Sequence, residues 1–377
     1  MIQKRVLILM VAGGGGHESA AKAIRGALQH KYGDRVDIVI LDPSKRSPFA
    51  PLRRLDDFYR WMSLRRSSLY RALWATDGQP WVPELLGIVM APLYRRPITE
   101  IMEEVRPDLI VSVHGLTNHI PLRILRHTLK SEVPFVTVVT DMIKAHPIWF
   151  CRDVDLCLVP TEEARERGLR FGMPADKIEV VGQPVDLAFT QEVNDKAALR
   201  TRLGLDPERP CVLIVGGGDG VGPMYETACA FNKMLDTVQL IVIAGHNEAL
   251  KRSLHEIEWQ VSAQIHGFVH NMPELMQASD LLVTKAGPGT LAEAFAVGLP
   301  VIIFDYIPGQ EEGNVRYVLE HGAGVYTADP AEIVSIAQTW LQPGNPEVAR
   351  ILANAAAIAR PDAIAIIADR LGEFLTP

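Results

Sequence analysis

Residues 281–290 read LLVTKAGPGT: the apolar run Leu281–Thr284 stops at Lys285, and two glycines and a proline lead into a stretch of helical spacing that contains Glu293. A short apolar run bounded by turn residues is the pattern of a strand buried on both faces, the kind found in parallel sheets. The same pattern recurs in both directions. Cys211–Val215, Leu240–Ala244 and Val301–Phe304 each precede a helix-like stretch, and an earlier series comprises Arg5–Ala12, Val36–Leu41, Leu109–Val113, Phe135–Val139 and Leu156–Val159. Strands that alternate with helices through the whole chain make an α/β fold. Two series make two Rossmann-like domains.

The break falls in Gly182–Pro210, where Pro184, Pro207 and Pro210 surround the charged patch Asp195–Arg202, so the linker is expected near 184–205. The expected organisation is an N-terminal domain over 1–190, a C-terminal domain over 191–345 and a helical tail over 346–377. In that tail Ile351, Ala355, Ile358, Ile364, Ile367 and Leu371 keep helical spacing. Two such domains facing each other enclose a cleft. Ligands then lie at the carboxyl ends of the strands, where the glycine-rich turns are.

A length of 377 residues exceeds what one core serves, which agrees with two domains. With 48% hydrophobic and 22% charged residues the chain reads as soluble and globular, and its net charge of -7 argues against nucleic acid as a partner. Cys151, Cys157, Cys211 and Cys229 form no CxxC pair or disulfide framework, which fits a reducing compartment. Val6–Ala12 leads into glycines and not into a cleavage site, so it reads as a strand and not as a signal peptide. No transmembrane segment is expected, because the longest apolar candidate, Leu85–Tyr94, contains Gly87 and Pro92.

Gly13-Gly14-Gly15-Gly16-His17 follows the first strand and opens a helix over Glu18–Gln29. It lacks the Gly-Lys-Ser/Thr of a P-loop and the spacing of the dinucleotide fingerprint. The helix N-terminus disfavours an imidazolium, so His17 should be neutral near pH 7 and able to accept a proton; the alternative is a histidine that only lines the turn. A second glycine turn, Gly216-Gly217-Gly218-Asp219-Gly220-Val221-Gly222-Pro223, precedes a helix over Tyr225–Leu235 and offers N–H groups to a diphosphate. Lys285, Gly287, Pro288, Gly289 and Thr290 form a further helix start, with an ammonium and a hydroxyl beside it. Gly309-Gln310-Glu311-Glu312-Gly313-Asn314 brings amides and carboxylates suited to sugar hydroxyls. Together these turns describe a nucleotide-sugar site.

Lys45–Arg71 holds eight basic residues against Asp56 and Asp57, a local charge of 8 - 2 = +6 in an acidic chain. Phe49, Phe58, Tyr59, Trp61 and Tyr70 are interleaved with Arg53, Arg54, Arg65 and Arg66. That composition suits a surface that meets anionic membrane lipids, and Trp74, Trp81 and Leu85–Tyr94 extend it. The other reading is a solvated helix face with aromatics packed inward.

The blocks Gly267-Phe268-Val269, Lys285–Thr290, Leu299-Pro300, Gly309-Gln310-Glu311 and Gly313-Asn314 resemble the donor domain of monogalactosyldiacylglycerol synthases and related diacylglycerol glucosyltransferases. Gly14-Gly15-Gly16-His17, Ser112-Val113-His114, His119-Ile120-Pro121-Leu122, Thr140-Asp141, His146-Pro147 and Trp149-Phe150 match the same family, over residues 5–342 in all. The resemblance implies a GT-B fold, shared with the transferase that makes lipid II. It implies inverting transfer of galactose or glucose from UDP-galactose or UDP-glucose to the 3-hydroxyl of diacylglycerol, by a peripheral protein at the cytoplasmic face of a membrane. The Gly267-Phe268-Val269 backbone, with Phe268 and Val269, would then read the uracil, and Gly287–Thr290 the diphosphate, beside Gly216, Gly217, Gly218 and Lys285. Glu293 and Glu311 are candidates for the ribose and donor hydroxyls, with Gln310 on the sugar and Asn314 beside it. His17 is the candidate base, with Asp141 as orienter or rival base.

Gly15, Gly16, His146 and Trp149 fall on the acceptor side with Arg53, Arg54, Trp61, Arg65 and Arg66. No cofactor and no metal are expected, since helix N-termini stabilise the leaving diphosphate; Asp153-Val154-Asp155, though it looks like a metal-binding DxD, reads as structural. One departure is Ala12-Gly13 where the family commonly has an Asp-Thr-like pair. Three alternatives remain at this stage: transfer to a polyprenyl diphosphate lipid, a UDP-sugar 2-epimerase, or an inactive membrane-surface binding protein.

Overall fold

The computed structural model describes residues 3–11, 15–47, 49–54, 79, 81–234 and 237–375. The chain forms two compact units, each built on a six-stranded parallel sheet. The first unit takes Met1–Leu187, Pro308–Gln310 and Pro361–Pro377, and the second takes Ala188–Ile307 and Glu311–Arg360.

In the first unit β1 (Lys4–Leu9), β2 (Val36–Leu41), β3 (Leu109–Ser112), β4 (Phe135–Val138), β5 (Leu156–Val159) and β6 (Ile178–Val180) lie in the order β2-β1-β3-β4-β5-β6. Side chains alternate across the sheet, so each strand feeds two cores. Val6, Ile8, Val111 and Leu158 pack on one face with Ile24 and Leu28 of α1 (Gly16–Tyr32). Leu7, Leu9, Ile110 and Phe135 pack on the other with Ile101 and Val105 of α2 (Trp81–Val105), together with Trp149 and Phe150. This double burial is why the strands read as unbroken apolar runs.

In the second unit β7 (Cys211–Val215), β8 (Gln239–Ile243), β9 (Ser262–His266), β10 (Leu281–Lys285), β11 (Val301–Asp305) and β12 (Val325–Tyr326) lie in the order β12-β11-β10-β7-β8-β9. α3 (Pro288–Val297) follows β10, and α4 (Glu312–Glu320) follows the loop after β11. The strands β6, β9 and β12 escape the sequence reading. All three are edge strands, two or three residues long or, in SAQIH, polar and part-exposed, so none shows an apolar run.

Each sheet reverses its winding once. In the first unit β1 pairs with both β2 and β3, and in the second β7 pairs with both β8 and β10. At such switch points the connections leave in opposite directions and open a crevice at the carboxyl ends of the strands. His17 follows β1, and Val113 follows β3. Gly216 follows β7, and Lys285 ends β10.

The tail forms two helices, α5 (Pro346–Ile358) with the second unit and α6 (Ala363–Glu373) with the first. By length and composition Pro346–Glu373 is the one candidate membrane span among the described residues, a stretch passed over in the sequence in favour of Leu85–Tyr94. The fold uses it otherwise. The chain leaves the helix before Pro361, and α6 buries Ile364, Ile367 and Leu371 in the core that α1 shares, with Lys31 paired to Asp369 and Arg370 Nη2 2.6 Å from Glu179. In the DxD-like triplet, Asp155 accepts from the Phe135 N–H at 2.7 Å and from Arg126 at 3.2 Å, which fixes the start of β4.

Candidate functional site

In the first unit the chain enters α1 through Gly15, whose φ of 74° is left-handed, and His17 stands in the first helical turn. Its Nδ1 lies 3.0 Å from the Val113 carbonyl oxygen and 2.9 Å from Thr140 Oγ1. A carbonyl oxygen can only accept, so Nδ1 carries the proton and, in the neutral ring, the lone pair sits on Nε2. Burial lowers the His17 pKa below its usual value; the Asp141 charge and the Val113 hydrogen bond oppose this. The ring keeps some exposed surface, yet desolvation outweighs both opposing effects. His17 is therefore neutral at pH 7 with a free Nε2.

His114 packs edge-on against it, with ring centroids 4.3 Å apart. His114 Nδ1 accepts from the Leu116 N–H at 3.1 Å, so its neutral ring carries the proton on Nε2, opposite to His17. Burial, and then His17, hold the His114 pKa well below the usual range. Two neutral histidines of opposite tautomer thus share this switch point.

Asp141 is buried beside them. Its Oδ2 accepts from Trp149 Nε1 at 2.6 Å, and its Oδ1 from Gln310 Nε2 at 2.9 Å. Both oxygens are engaged, and the ring of His17 is oriented by Val113 and Thr140, so Asp141 acts on His17 by charge. Thr140 is held in turn by Gln183, whose Nε2 donates to the Thr140 carbonyl at 2.8 Å while its Oε1 is buried without a partner. The sequence assigns no role to Val113, though it lies in the matched block Ser112-Val113-His114, or to Gln183: a backbone carbonyl has no side-chain signature, and a glutamine between Gly182 and Pro184 looks like any loop residue. Thr140 lay inside a matched block and could have been singled out. His146 accepts from the Ile148 N–H at 3.2 Å through Nδ1, which caps the turn that carries Trp149.

In the second unit three loops converge at the β7/β10 switch point. A Cβ on Gly217 would come within 2.8 Å of Lys285 Cε, and φ there is 71°, so the glycine turn lies directly over the Lys285 side chain. Lys285 Nζ pairs with Glu311 Oε1, and Glu311 Oε2 accepts from the Ile307 N–H at 2.8 Å. Gly287 caps α3, whose first amides lack intrahelical acceptors, and Thr290 stands in that first turn with Gly289 and Pro288 before it. Asn314 Nδ2 donates to the Ala286 carbonyl at 2.9 Å, and its Oδ1 is buried without a partner. Glu293 lies on α3, part-buried.

Phe268, half-exposed after β9, stacks on His246 with centroids 4.3 Å apart and 11° between planes, and His270 meets its edge at 5.3 Å. Those two histidines were not foreseen, since neither falls in a recognisable motif. Val269 follows, part-buried.

Of the basic segment, Arg53 and Arg54 are exposed, whereas Trp61, Arg65 and Arg66 lie outside the described residues, as do Gly13, Gly14 and Trp74. Next to it, α2 splits into two halves. Ile98, Ile101 and Val105 are buried, but Trp81, Leu85, Ile88, Val89 and Leu93 form an exposed apolar stripe, 60% exposed at Val89. Among the described residues no group of three or more His, Cys, Asp or Glu side chains is arranged to hold a metal ion.

Residues 17–185 match the family described as monogalactosyldiacylglycerol (MGDG) synthase, and residues 211–345 match the glycosyltransferase family 28 C-terminal domain. The chain is 39% identical over 369 residues to the probable monogalactosyldiacylglycerol synthase 2, chloroplastic, of Oryza sativa subsp. indica, covering 96% of this chain and 78% of that protein. It is 37% identical to the monogalactosyldiacylglycerol synthase 2, chloroplastic, of Arabidopsis thaliana, over 98% and 81% of the two chains.

Among solved structures it is similar to MurG of Acinetobacter baumannii, at TM-score 0.59 and 14% identity over 98% and 99% of the chains. It is also similar to Anabaena Alr3699/HepE in complex with UDP-glucose, at 0.57 and 17% over 98% and 99%. UDP-GlcNAc 2-epimerase of Neisseria meningitidis bound to UDP-GlcNAc matches at 0.63 and 13% over 98% and 100%. At these identities the likeness is one of fold, the GT-B fold, which transferases and epimerases share. The choice between them comes from the sequence relatives, whose coverage and identity leave one conclusion: this chain belongs to the monogalactosyldiacylglycerol synthase family.

Proposed function

We propose that this chain is an inverting, metal-independent glycosyltransferase that moves galactose from UDP-galactose to the 3-hydroxyl of 1,2-diacylglycerol at a membrane surface. The observation that carries the reading is His17, a neutral imidazole with its proton pinned on Nδ1 by Val113 and its Nε2 lone pair free at a topological switch point. In this reading Nε2 takes the proton of the acceptor hydroxyl as that oxygen attacks the anomeric carbon from the side opposite the diphosphate. The Asp141 charge then stabilises the imidazolium that forms, as an opposite charge nearby does for any cation. The departing diphosphate gathers negative charge, which the start of α3 and the Lys285 ammonium are suited to receive.

Galactose is preferred to glucose because the relatives named above are monogalactosyl synthases. The acceptor is a lipid in this reading, which agrees with the exposed apolar stripe of α2 and the exposed basic residues Arg53 and Arg54. The test is transfer from radiolabelled UDP-galactose and UDP-glucose, in parallel, to diacylglycerol in vesicles with and without anionic lipid, with chelator present. Galactolipid made in chelator supports all parts of the reading. Product from UDP-glucose alone would change the donor, loss of product on chelation would bring in a metal, and UDP-sugar turnover without lipid would point to an epimerase.

A further inference from the structure

His114 is the one titratable group packed against the His17 ring that the proposed transfer leaves unused. It leaves β3 in an extended conformation, at φ -146° and ψ 138°. Its Nδ1 accepts from the Leu116 N–H at 3.1 Å, which caps the turn over Gly115–Thr117 and leaves the proton of the neutral ring on Nε2. The His17 ring is fixed the other way round, with Nδ1 donating to the Val113 carbonyl at 3.0 Å and the lone pair on Nε2. One strand end thus sets both rings, through the carbonyl of Val113 and the side chain of His114.

Among the described residues the Nε2 of neither ring has a hydrogen-bond partner, and both rings keep some exposed surface. Nor do the rings bond each other: they meet edge to face, with centroids 4.3 Å apart and 63° between planes. Trp149 lies against both, its ring centroid 6.0 Å from that of His17 and 6.4 Å from that of His114. A donor and an acceptor therefore stand side by side, each unpaired. A carboxylate or phosphate oxygen would satisfy only the donor, and an ammonium only the acceptor. A hydroxyl satisfies both, because its hydrogen donates and its oxygen accepts, and hydrogen bonds of about 2.8 Å on each side suit rings this close.

We infer that His114 is an acceptor-binding residue, whose Nε2–H donates to the oxygen of the same hydroxyl that gives its proton to His17. The inference rests on the reading of the first unit as the acceptor site and deepens it. The acceptor oxygen has two lone pairs. One receives the His114 N–H, and the other forms the bond to the anomeric carbon while the bond from that carbon to the diphosphate oxygen breaks and its electron pair leaves with UDP. The hydroxyl proton passes to His17 Nε2. His114 keeps its own proton throughout, so its part is to hold the nucleophile with its hydrogen toward the base.

The experiment uses two variants that separate the two ring nitrogens. His114→Asn places an amide oxygen where Nδ1 stands, which keeps an acceptor for Leu116 and removes the donor. His114→Gln places an amide N–H where Nε2 stands, which keeps the donor and gives up the bond to Leu116. Initial rates are measured on 1,2-diacylglycerol in vesicles at saturating UDP-galactose, with inhibition by the diacyl ester of 1,2-propanediol, the same lipid without its 3-hydroxyl. His114→Asn should lower kcat/KM for diacylglycerol by about tenfold, the loss of one hydrogen bond. It should leave inhibition by the deoxy lipid, and calorimetric affinity for UDP, within about twofold of the parent. His114→Gln should stay within about threefold of the parent in kcat/KM. Equal weakening of diacylglycerol and deoxy lipid in His114→Asn would overturn the inference, because the lost contact would then not be to the hydroxyl. So would a folded His114→Gln chain no more active than His114→Asn, and if His114→Gln does not fold the two lipids decide alone. A parent chain that transfers no sugar to diacylglycerol would instead overturn the acceptor-site reading itself, and the inference with it.

Discussion

The two switch points are the same piece of architecture with opposite electrostatics. Each has a glycine-rich turn after the first strand of a parallel sheet and a helix start beside it. In the first unit the group at that helix start is an imidazole that burial keeps neutral, with a second neutral histidine against it. In the second it is an ammonium paired with a carboxylate. A helix N-terminus repels cations in both places, and the chain has met that constraint by neutrality in one and by a counter-ion in the other. A neutral lone pair suits proton acceptance, and a cation suits an anionic leaving group. Catalysis should therefore be sensitive to pH through the first unit and to salt through the second.

His17→Ala breaks the comparison at its centre. Removing a general base costs about 10²–10⁴-fold, so turnover should fall by about a thousandfold while UDP affinity stays within about twofold, because UDP addresses the other switch point. Initial rates and calorimetry on one preparation measure both. Near-normal turnover would move the proton to Asp141, and lost UDP affinity would mean that the two switch points are not independent.

The acceptor is a lipid in this reading, so the first unit should also hold the membrane. Ile88 and Val89 are half-exposed or more on the stripe of α2, and burying such side chains is worth about 1–2 kcal/mol each at that exposure. The pair Ile88→Glu and Val89→Glu should cut partitioning onto anionic vesicles by about thirtyfold, measured by co-sedimentation. The same pair should reduce turnover on a detergent-dispersed acceptor far less. Undiminished vesicle binding would return α2 to the status of a solvated helix.

The central strands of both sheets were legible in the sequence because double burial writes an apolar run, whereas β6, β9 and β12 were not, because edge strands are half-solvated. The site was legible where a residue type announces its chemistry: His17, Lys285 and the glycines. What holds those residues was not. The tautomer of His17 depends on the Val113 carbonyl, the placement of Thr140 on Gln183, and the engagement of Asp141 on Gln310, all contacts between residues far apart in the chain. Asp141 is the instructive case. The sequence suggests Asp141 as orienter of the candidate base or rival to it; in the structure its hydrogen bonds go to Trp149 and Gln310, and only its charge reaches His17.

Acid sharpens the comparison further, since neutral buried histidines belong to the first unit's way of meeting its constraint. His119, near the end of α2 that carries Gly87, is pushed down to about 4 by burial. The sign follows from linkage: an unfolded histidine takes its proton near pH 6.5, the native one only near 4, so acid favours unfolding in between. At pH 5 the loss from this residue is roughly 2 kcal/mol relative to pH 7. His119→Gln should lower stability at pH 7 by its own packing cost and then lose about 2 kcal/mol less on acidification, read from denaturant midpoints at both pH values. Equal acid sensitivity in parent and variant would mean that His119 titrates normally.

The smallest effect tests the charge of Asp141 alone. Its carboxylate raises the His17 pKa against the stronger pull of burial. The acid limb of kcat/KM reports His17 in the free protein and should lie below pH 6.5, the ordinary value that burial depresses. Asp141→Asn keeps an acceptor for Trp149 but removes the charge, so the imidazolium loses its stabilisation and the limb should move to still lower pH, by about one unit for a nearby opposite charge. Turnover should fall as well, because the same charge stabilises the imidazolium formed during transfer. A limb that stays in place or moves upward would mean that the titrating base is not His17, and the neutral member of the comparison would have to be sought elsewhere in the first unit.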